Sequence, residues 1–416
     1  MRSRKCATAM MYTNTITSRF FRSFQQRNYR LLWFSDGVTS SAEQMEFLVL
    51  VWFVATRTES AFLVTLYGAL RFTGTLFAPF YGIIVDRYDR LMLLRISRII
   101  FTVIALIIAA LSFLGLIQIW HIFVLTGVAG MVRAFDNVTR QTLMADMVPR
   151  HNLGNAIALT RTGRDTTQIV SPVIGGFLLD SFGLGWAYVA IIALLIGGTA
   201  LTIPVKPPPR FPATRGEPIF VTLVESFRYA RSHQVVLALL LLAFLVNLTG
   251  FPLNQGLVPV FARDVLLTDS TGLGWLLGAY SAGAFIGSIV IAGIGDMERA
   301  GRLMSLGSVG WHAAIVVLAA STLFNVSLGV LALAGLVQSF TMVTMSILLL
   351  VSTPTEMRGR MLGLRSLAVY GLPLGLLASG AIADTVGITF ALIGNGVIGI
   401  AITVAIVLAL RGIWRA

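Results

Sequence analysis

The chain has 416 residues, of which 56% are hydrophobic and only 12% are charged, and its mean hydropathy is +0.84. Soluble domains carry about 25% charged residues, so this composition excludes a soluble globular protein and predicts a polytopic membrane protein. The net charge of +13 does not indicate a nucleic-acid partner, because the arginines cluster in short gaps between apolar segments, as membrane topology requires.

The first 30 residues form a basic segment that lacks acidic residues and lacks the apolar core of a signal peptide. We interpret residues 1–30 as a cytoplasmic flank of the first membrane helix. An organelle transit peptide is the alternative, suggested by the Arg, Ser and Thr content. Cys6 is the single cysteine, which excludes an internal disulfide and a cysteine-rich metal site.

Runs of about 20 apolar residues, the length that crosses a bilayer, predict twelve transmembrane helices and an all-α fold. A Pro-rich linker at 205–234 divides them into an N-terminal six-helix bundle at 31–204 and a C-terminal one at 235–412. The predicted spans lie near 31–56, 61–86, 92–115, 120–147, 154–180, 184–204, 235–262, 270–296, 302–323, 327–352, 360–385 and 388–411.

Positive charge alternates between the joins of these spans. Arginines flank the joins after the second, fourth, eighth and tenth spans, whereas "FLGLIQIW" and "TLFNVS" at opposite joins contain no Arg or Lys. Because cytoplasmic loops are enriched in Arg and Lys, both termini and the linker are predicted to face the cytoplasm. The predicted location is the cell membrane, as in a bacterial or archaeal inner membrane.

The two halves resemble each other at an offset of 204 residues. "SPVIGGFLLDSFG" (171–183) aligns with "GLLASGAIADTVG" (375–387). A duplicated bundle with a cavity between the copies is a transporter architecture. Chance similarity between two helices rich in small residues is the alternative. The alignment superposes Gly176 on Gly380, Asp180 on Asp384 and Gly183 on Gly387.

The first span carries three carboxylates, Asp36, Glu43 and Glu46, within an otherwise apolar run. A buried charge is costly in a membrane and therefore pairs or faces water. Arg71 of the second span matches the depth of Glu46, so we predict a Glu46–Arg71 ion pair. Glu43 is then left without a fixed cation, which favours its protonated form and makes it the preferred proton carrier.

Charged residues also interrupt the fourth and fifth spans. For each of them a structural ion pair is the alternative to a role in coupling. Besides Glu43, the candidates for proton coupling are Asp36, Glu46, Asp136 and Asp165, and the candidate ion-pair partners are Arg71, Arg133, Arg161 and Arg164.

The segment "GIIVDRYDR" (82–90) follows the second span. It resembles the G-x-x-x-D-R-x-x-R/K motif of the major facilitator superfamily, with Gly82, Asp86, Arg87 and Arg90 at its anchors. The resemblance implies twelve helices in two bundles, and a motif that latches the bundles together on the cytoplasmic side when the transporter is open outward.

The fifth span resembles the G-x8-G-x3-G-P-x2-G-G motif of exporters in this superfamily. Pro172, Gly175 and Gly176 match, whereas small residues replace the earlier glycines. "FDNVTRQTLMADMVPRHNLGNAIAL", "PVFARDVL", "NYRLLW" and "EMRGRMLGL" are similar to the branch that contains the enterobactin exporter and macrolide-efflux proteins. The replaced glycines are Ala158, Thr167 and Ser171.

The second half offers neutral polar residues where the first half offers charges. The resemblance implies that its seventh and tenth spans line the cavity, where the substrate-contact candidates are Asn247, Asn254, Gln255 and Gln338. A cavity that also contains Phe, Leu and Met suits an amphipathic or lipophilic ligand.

The sequence therefore predicts a secondary transporter, a proton-coupled exporter working by alternating access, and no enzyme. The expected partners are a small-molecule substrate, protons and membrane lipids, with the proton gradient in place of a cofactor and a monomer as the functional unit. Alternatives are a lipid or lysolipid flippase, an importer of the same fold, and, from another class, a non-transporting membrane receptor or an intramembrane enzyme.

Overall fold

The computed structural model describes residues 22–207, 219–294 and 299–415. Residues 1–21 of the basic segment and 208–218 of the linker lie outside the described residues. The described chain is helical and contains no strand. The helices are α1 (Arg27–Thr58), α2 (Ala61–Leu70), α3 (Ala78–Arg87), α4 (Arg90–Phe113), α5 (Ile119–Asp146), α6 (Leu153–Ala200), α7 (Ile219–Ser232), α8 (Gln234–Leu245), α9 (Val258–Asp264), α10 (Ser270–Ile294), α11 (Ala300–Ala319), α12 (Phe324–Val351), α13 (Arg358–Ser366), α14 (Gly371–Val386), α15 (Ile388–Ala409) and α16 (Gly412–Arg415).

Ten helical segments of the described chain are long and apolar enough to cross a membrane. The 48-residue helix α6 contains a non-helical residue, Gly183, and therefore holds two spans. Helices α2 and α3, joined by a short turn at Thr73–Phe77, form one more. The predicted fold class, an all-α membrane protein with twelve spans in two six-helix bundles, is confirmed; the exact domain boundaries stay a prediction.

The internal repeat has a counterpart in the backbone. Gly183 has φ +80° and Gly387 has φ +100°, and each lies where one span ends and the next begins. A residue with a Cβ rarely adopts such a φ, so both repeats use glycine for the same sharp reversal. The sequence alignment of Gly183 with Gly387 therefore matches equivalent positions of the two halves.

The halves contact each other most closely at one end, which we call the closed end. There, the carboxylate of Asp384 in α14 accepts hydrogen bonds from Ala61 N at 2.6 Å and Ser60 Oγ at 2.9 Å. Arg263 in α9 donates across the same interface to two backbone carbonyls at the end of α1. A cation at a helix C-terminus and an anion at a helix N-terminus are both favourable positions. The two carbonyls belong to Ala55 and Glu59.

Candidate functional site

A cavity with two adjoining lobes lies between the two halves. The inner lobe, ≈ 530 Å³, includes Glu43 and Arg71, and the mouth lobe, ≈ 650 Å³, extends to Met144 and Leu153 near the join of α5 and α6. We call that end of the protein the open end. The lobes share Arg140, Gln141, Arg164, Gln168 and Ser281, so they lie directly beside each other.

Arg133 of α5 holds two carboxylates of α1 at the base of the inner lobe. Its guanidinium lies 2.8 Å from Glu43 Oε2 and 3.1 Å from Glu46 Oε2, and each of the three side chains is less than 20% exposed. The prediction that Glu43 lacks a fixed cation is therefore wrong. One cation serving two acids leaves one negative charge incompletely balanced when both are ionised.

Arg71 does not form the predicted pair with Glu46. Its guanidinium lies 4.2 Å from the centre of the Phe47 ring and 3.5 Å from Gln255 Oε1, at the limit of a hydrogen bond. The prediction used depth alone, and Arg133 of α5 occupies the position beside Glu46 instead. The Phe47 ring and the second-half amide provide the contacts of Arg71.

A second group of one arginine and two acids lies nearer the open end. Arg140 forms an ion pair with Asp36 and lies 3.8 Å from Asp136 Oδ2. It also donates to Asn137 Oδ1 at 2.9 Å. Asp136 is 3% exposed, and its Oδ1 has no hydrogen-bond partner among the described residues. Asp136 is thus the buried acid with the weaker pairing.

Arg98 was not predicted as a site residue and is 1% exposed. It donates to the Ser35 hydroxyl and to the Gly198 carbonyl, the latter at 3.1 Å. The sequence contained a signal for this position: Leu94, Arg98 and Phe101 follow helical spacing on the buried face of α4. This periodicity is hard to recognise in the sequence because Arg98 belongs to the arginine-rich join between the second and third spans.

We define the central charge cluster as the four acids of these two groups together with the nearby arginines. Each of the two groups has one arginine for two carboxylates. With the nearby arginines included, the cluster contains one guanidinium more than it contains carboxylates. Its members are Asp36, Glu43, Glu46, Asp136, Arg71, Arg98, Arg133, Arg140 and Arg164.

The charges of α6 differ from one another in exposure. Arg161 lies 3.9 Å from Asp165, and its side chain is 63% exposed, so this pair is weak. Arg164, one turn away, lines both cavity lobes. Among the described residues its guanidinium has neither an ion pair nor a hydrogen bond.

The neutral polar candidates of the second half are placed unequally. Asn254 and Gln255 line the inner lobe, and Gln338 lines the mouth lobe. Asn247 donates to Ala243 O of its own helix at 2.8 Å and does not line either lobe. Asn247, Asn254 and Gln255 lie in widened π-helical turns that interrupt the seventh span, a feature frequent at functional sites.

The latch motif has described contacts within its own half. Arg90 forms an ion pair with Asp146 at the end of α5, and Arg87 is exposed. Nothing lies within 4 Å of where a Cβ on Gly82 would be. The side chain of Asp86 lies outside the described residues. The motif lies at the open end of the protein.

The exporter-like helix contacts both halves. Gly175 packs on Met45, whose Cα would lie 3.1 Å from an added Cβ. At Gly176, an added Cβ would overlap the Ser270 carbonyl of α10 in the other half, and Ser270 Oγ donates to Gly176 O at 2.9 Å. Pro172 lies inside α6. The predicted motif thus forms part of the interface between the halves.

Comparison with known sequences identifies a family and several relatives. The profile of a family described as transmembrane secretion effector matches residues 18–413. The chain is 27% identical over 305 residues to the enterobactin exporter EntS of Salmonella choleraesuis (strain SC-B67), covering 72% of this chain and 71% of the relative. It is 29% identical over 317 residues to EntS of Salmonella typhimurium, with the same coverage.

Solved structures of transporters share the fold. The POT family transporter PepTSo superposes with a TM-score of 0.71 at 13% identity, covering 93% of this chain and 98% of that chain. A bacterial homologue of the human lysosomal transporter Spinster, in an inward-facing and unoccupied conformation, superposes with a TM-score of 0.67 at 13% identity, covering 95% and 96%. At these identities the likeness shows the fold alone.

Proposed function

Because this chain belongs to the transmembrane secretion effector family of major facilitator transporters, we propose that it is a proton-coupled exporter of small amphipathic or lipophilic compounds. Drugs, macrolides and siderophores are compounds of this type. The enterobactin exporters are relatives of this chain. The proposal depends on one observation above all: a cavity between the halves is lined by buried charge and sealed at one end.

The sealed cavity supports alternating access. Asp384 and Arg263 join the halves at the closed end, whereas the mouth lobe reaches the join at the open end. The arginine-rich joins of the sequence lie at the open end, so we assign that end and both termini to the cytoplasm of a cell membrane. Rocking the halves about the cavity would then expose it to the other side. One chain builds the whole cavity, which supports a monomer as the functional unit.

The central charge cluster supports proton coupling through two acids. Glu43 and Asp136 line the inner lobe, whereas Glu46 and Asp36 do not. Protonation of Glu43 leaves Arg133 to balance Glu46 alone, and protonation of Asp136 leaves Arg140 to balance Asp36 alone. Either event removes the surplus negative charge of its group. A proton taken up from outside at one of these acids would favour return of the emptied cavity to the cytoplasm.

The test is efflux of a fluorescent drug from vesicles that contain the purified protein, with and without a pH gradient. We expect gradient-dependent efflux that Glu43→Gln or Asp136→Asn uncouples, whereas Glu46→Gln retains coupling because Glu46 does not line the lobe. Efflux that is indifferent to the gradient would exclude proton coupling. Substrate counterflow in the same vesicles separates export from import, and a labelled lysolipid tests the flippase alternative.

A further inference from the structure

We propose that the transported substrate carries an anionic oxygen group, such as a carboxylate or phosphate, that binds Arg164. This inference rests on the proposed export function and specifies its substrate class. Arg164 lies where the two cavity lobes meet, as does Arg140. A substrate that passes from one lobe to the other therefore passes Arg164.

The other cavity arginines already have partners. Arg133 and Arg140 each contact two carboxylates. Arg71 lies on an aromatic ring and beside an amide oxygen, and Arg161 lies within ion-pair distance of an acid. Arg164 alone among these five has neither a hydrogen bond nor an ion pair of its guanidinium among the described residues, so its donors are available to a ligand.

The local charge favours an anion at this position. The central charge cluster contains one guanidinium more than carboxylates, and Arg140, another cation, lines the same shared region as Arg164. A partly buried cation beside another cation gains from an anionic ligand, because the cavity screens the charges less than water does. The planar guanidinium also matches a carboxylate or phosphate with two parallel hydrogen bonds.

The rest of the shared region suits the same group and its apolar remainder. Gln141, Gln168 and Ser281 line the region together with Arg164 and supply N–H and O–H donors. The mouth lobe adds apolar walls from Phe285 and Met342. An amphipathic acid can therefore place its charge at Arg164 and its apolar part in the mouth lobe.

The test compares dansyl-undecanoic acid with its methyl ester, which differ in charge and hardly in apolar surface. Both are titrated by fluorescence into the protein in lipid nanodiscs at neutral pH, with empty nanodiscs as blank. We expect the acid to bind more tightly than the ester. Arg164→Gln should weaken acid binding by about 10- to 100-fold, the usual effect of losing a charge-assisted hydrogen-bonded pair, and leave ester binding unchanged.

Two variants control for fold and for general charge. Arg164→Lys should bind the acid with intermediate affinity, since an ammonium keeps the charge but loses the fork. Arg57→Gln removes an exposed positive charge that lines neither lobe and should leave the preference for the acid intact. Equal binding of acid and ester, or an acid affinity that Arg164→Gln does not change, would overturn the inference. Gradient-driven efflux of a neutral dye is measured separately. If the acid shows no preference but the dye is still exported, the inference about Arg164 is wrong and the export function stands. Loss of dye efflux would not by itself explain a lost preference for the acid.

Discussion

Substituting asparagine for Asp384 removes a negative charge from the interface that seals the closed end. In the structure, one carboxylate oxygen accepts from Ala61 N at 2.6 Å and the other from Ser60 Oγ at 2.9 Å. Both donors lie at the N-terminus of α2 in the other half. Asparagine keeps one carbonyl acceptor, so the variant loses one hydrogen bond and the charge while its size is unchanged.

The expected effect is a shift of the equilibrium away from closure at this end. A hydrogen bond to a charged group contributes about 1.5–3 kcal/mol, and a charge at an exposed helix terminus about 0.3–1 kcal/mol. Because the site is partly exposed, we add the lower ends of these two ranges, which gives about 2 kcal/mol. This free energy corresponds to about a 30-fold change in the ratio of the closed to the opened population at this end. The contact bridges the halves, so its loss selectively weakens the arrangement in which this end is closed.

Distances between spin labels measure this shift. Leu114 and Leu323 lie at the closed end in different halves and are 69% and 64% exposed, and Cys6 is the only native cysteine to replace. The chain provides a matched control in Asp180, the repeat equivalent of Asp384, whose exposed side chain forms no hydrogen bond or ion pair with the described residues. We expect Asp384→Asn, and not Asp180→Asn, to add a longer distance. Unchanged distributions, or equal shifts in both variants, would refute the reasoning.

Three further outcomes follow from the same contacts. Arg133→Leu should lower the free energy of unfolding by about 3–5 kcal/mol, because it leaves Glu43 and Glu46 buried without a cation. In thermal denaturation, adding Glu46→Gln to this variant should recover part of the lost stability. Destabilising effects of the two substitutions that simply add would contradict the shared pairing. Gly176→Val should impair closure between α6 and α10, seen as lost transport with retained folding; normal transport would exclude a close interface there. Arg263→Gln should lengthen the same spin-label distances as Asp384→Asn, and shortened distances would exclude its bridging role.

Much of the architecture followed from the sequence. Each span is a run of apolar residues whose backbone hydrogen bonds are satisfied within the helix, so its existence depends on local composition and hardly on neighbouring spans. Gly183 and Gly387 could be matched for a similar reason, because a positive φ constrains the residue type at one position. The family resemblance was confirmed as well, since its motifs are local stretches of chain.

The pairing of buried charges was decided by the tertiary structure. Depth along a helix is readable from the sequence, but the direction of a side chain depends on how each helix is rotated and which helix packs beside it. That is why Arg133, 87 positions from Glu46, takes the place predicted for Arg71. It is also why Arg98 is buried and Arg164 is left available to a ligand. An ion pair needs two groups within about 4 Å, and in a helical bundle only packing between distant segments determines which groups come that close.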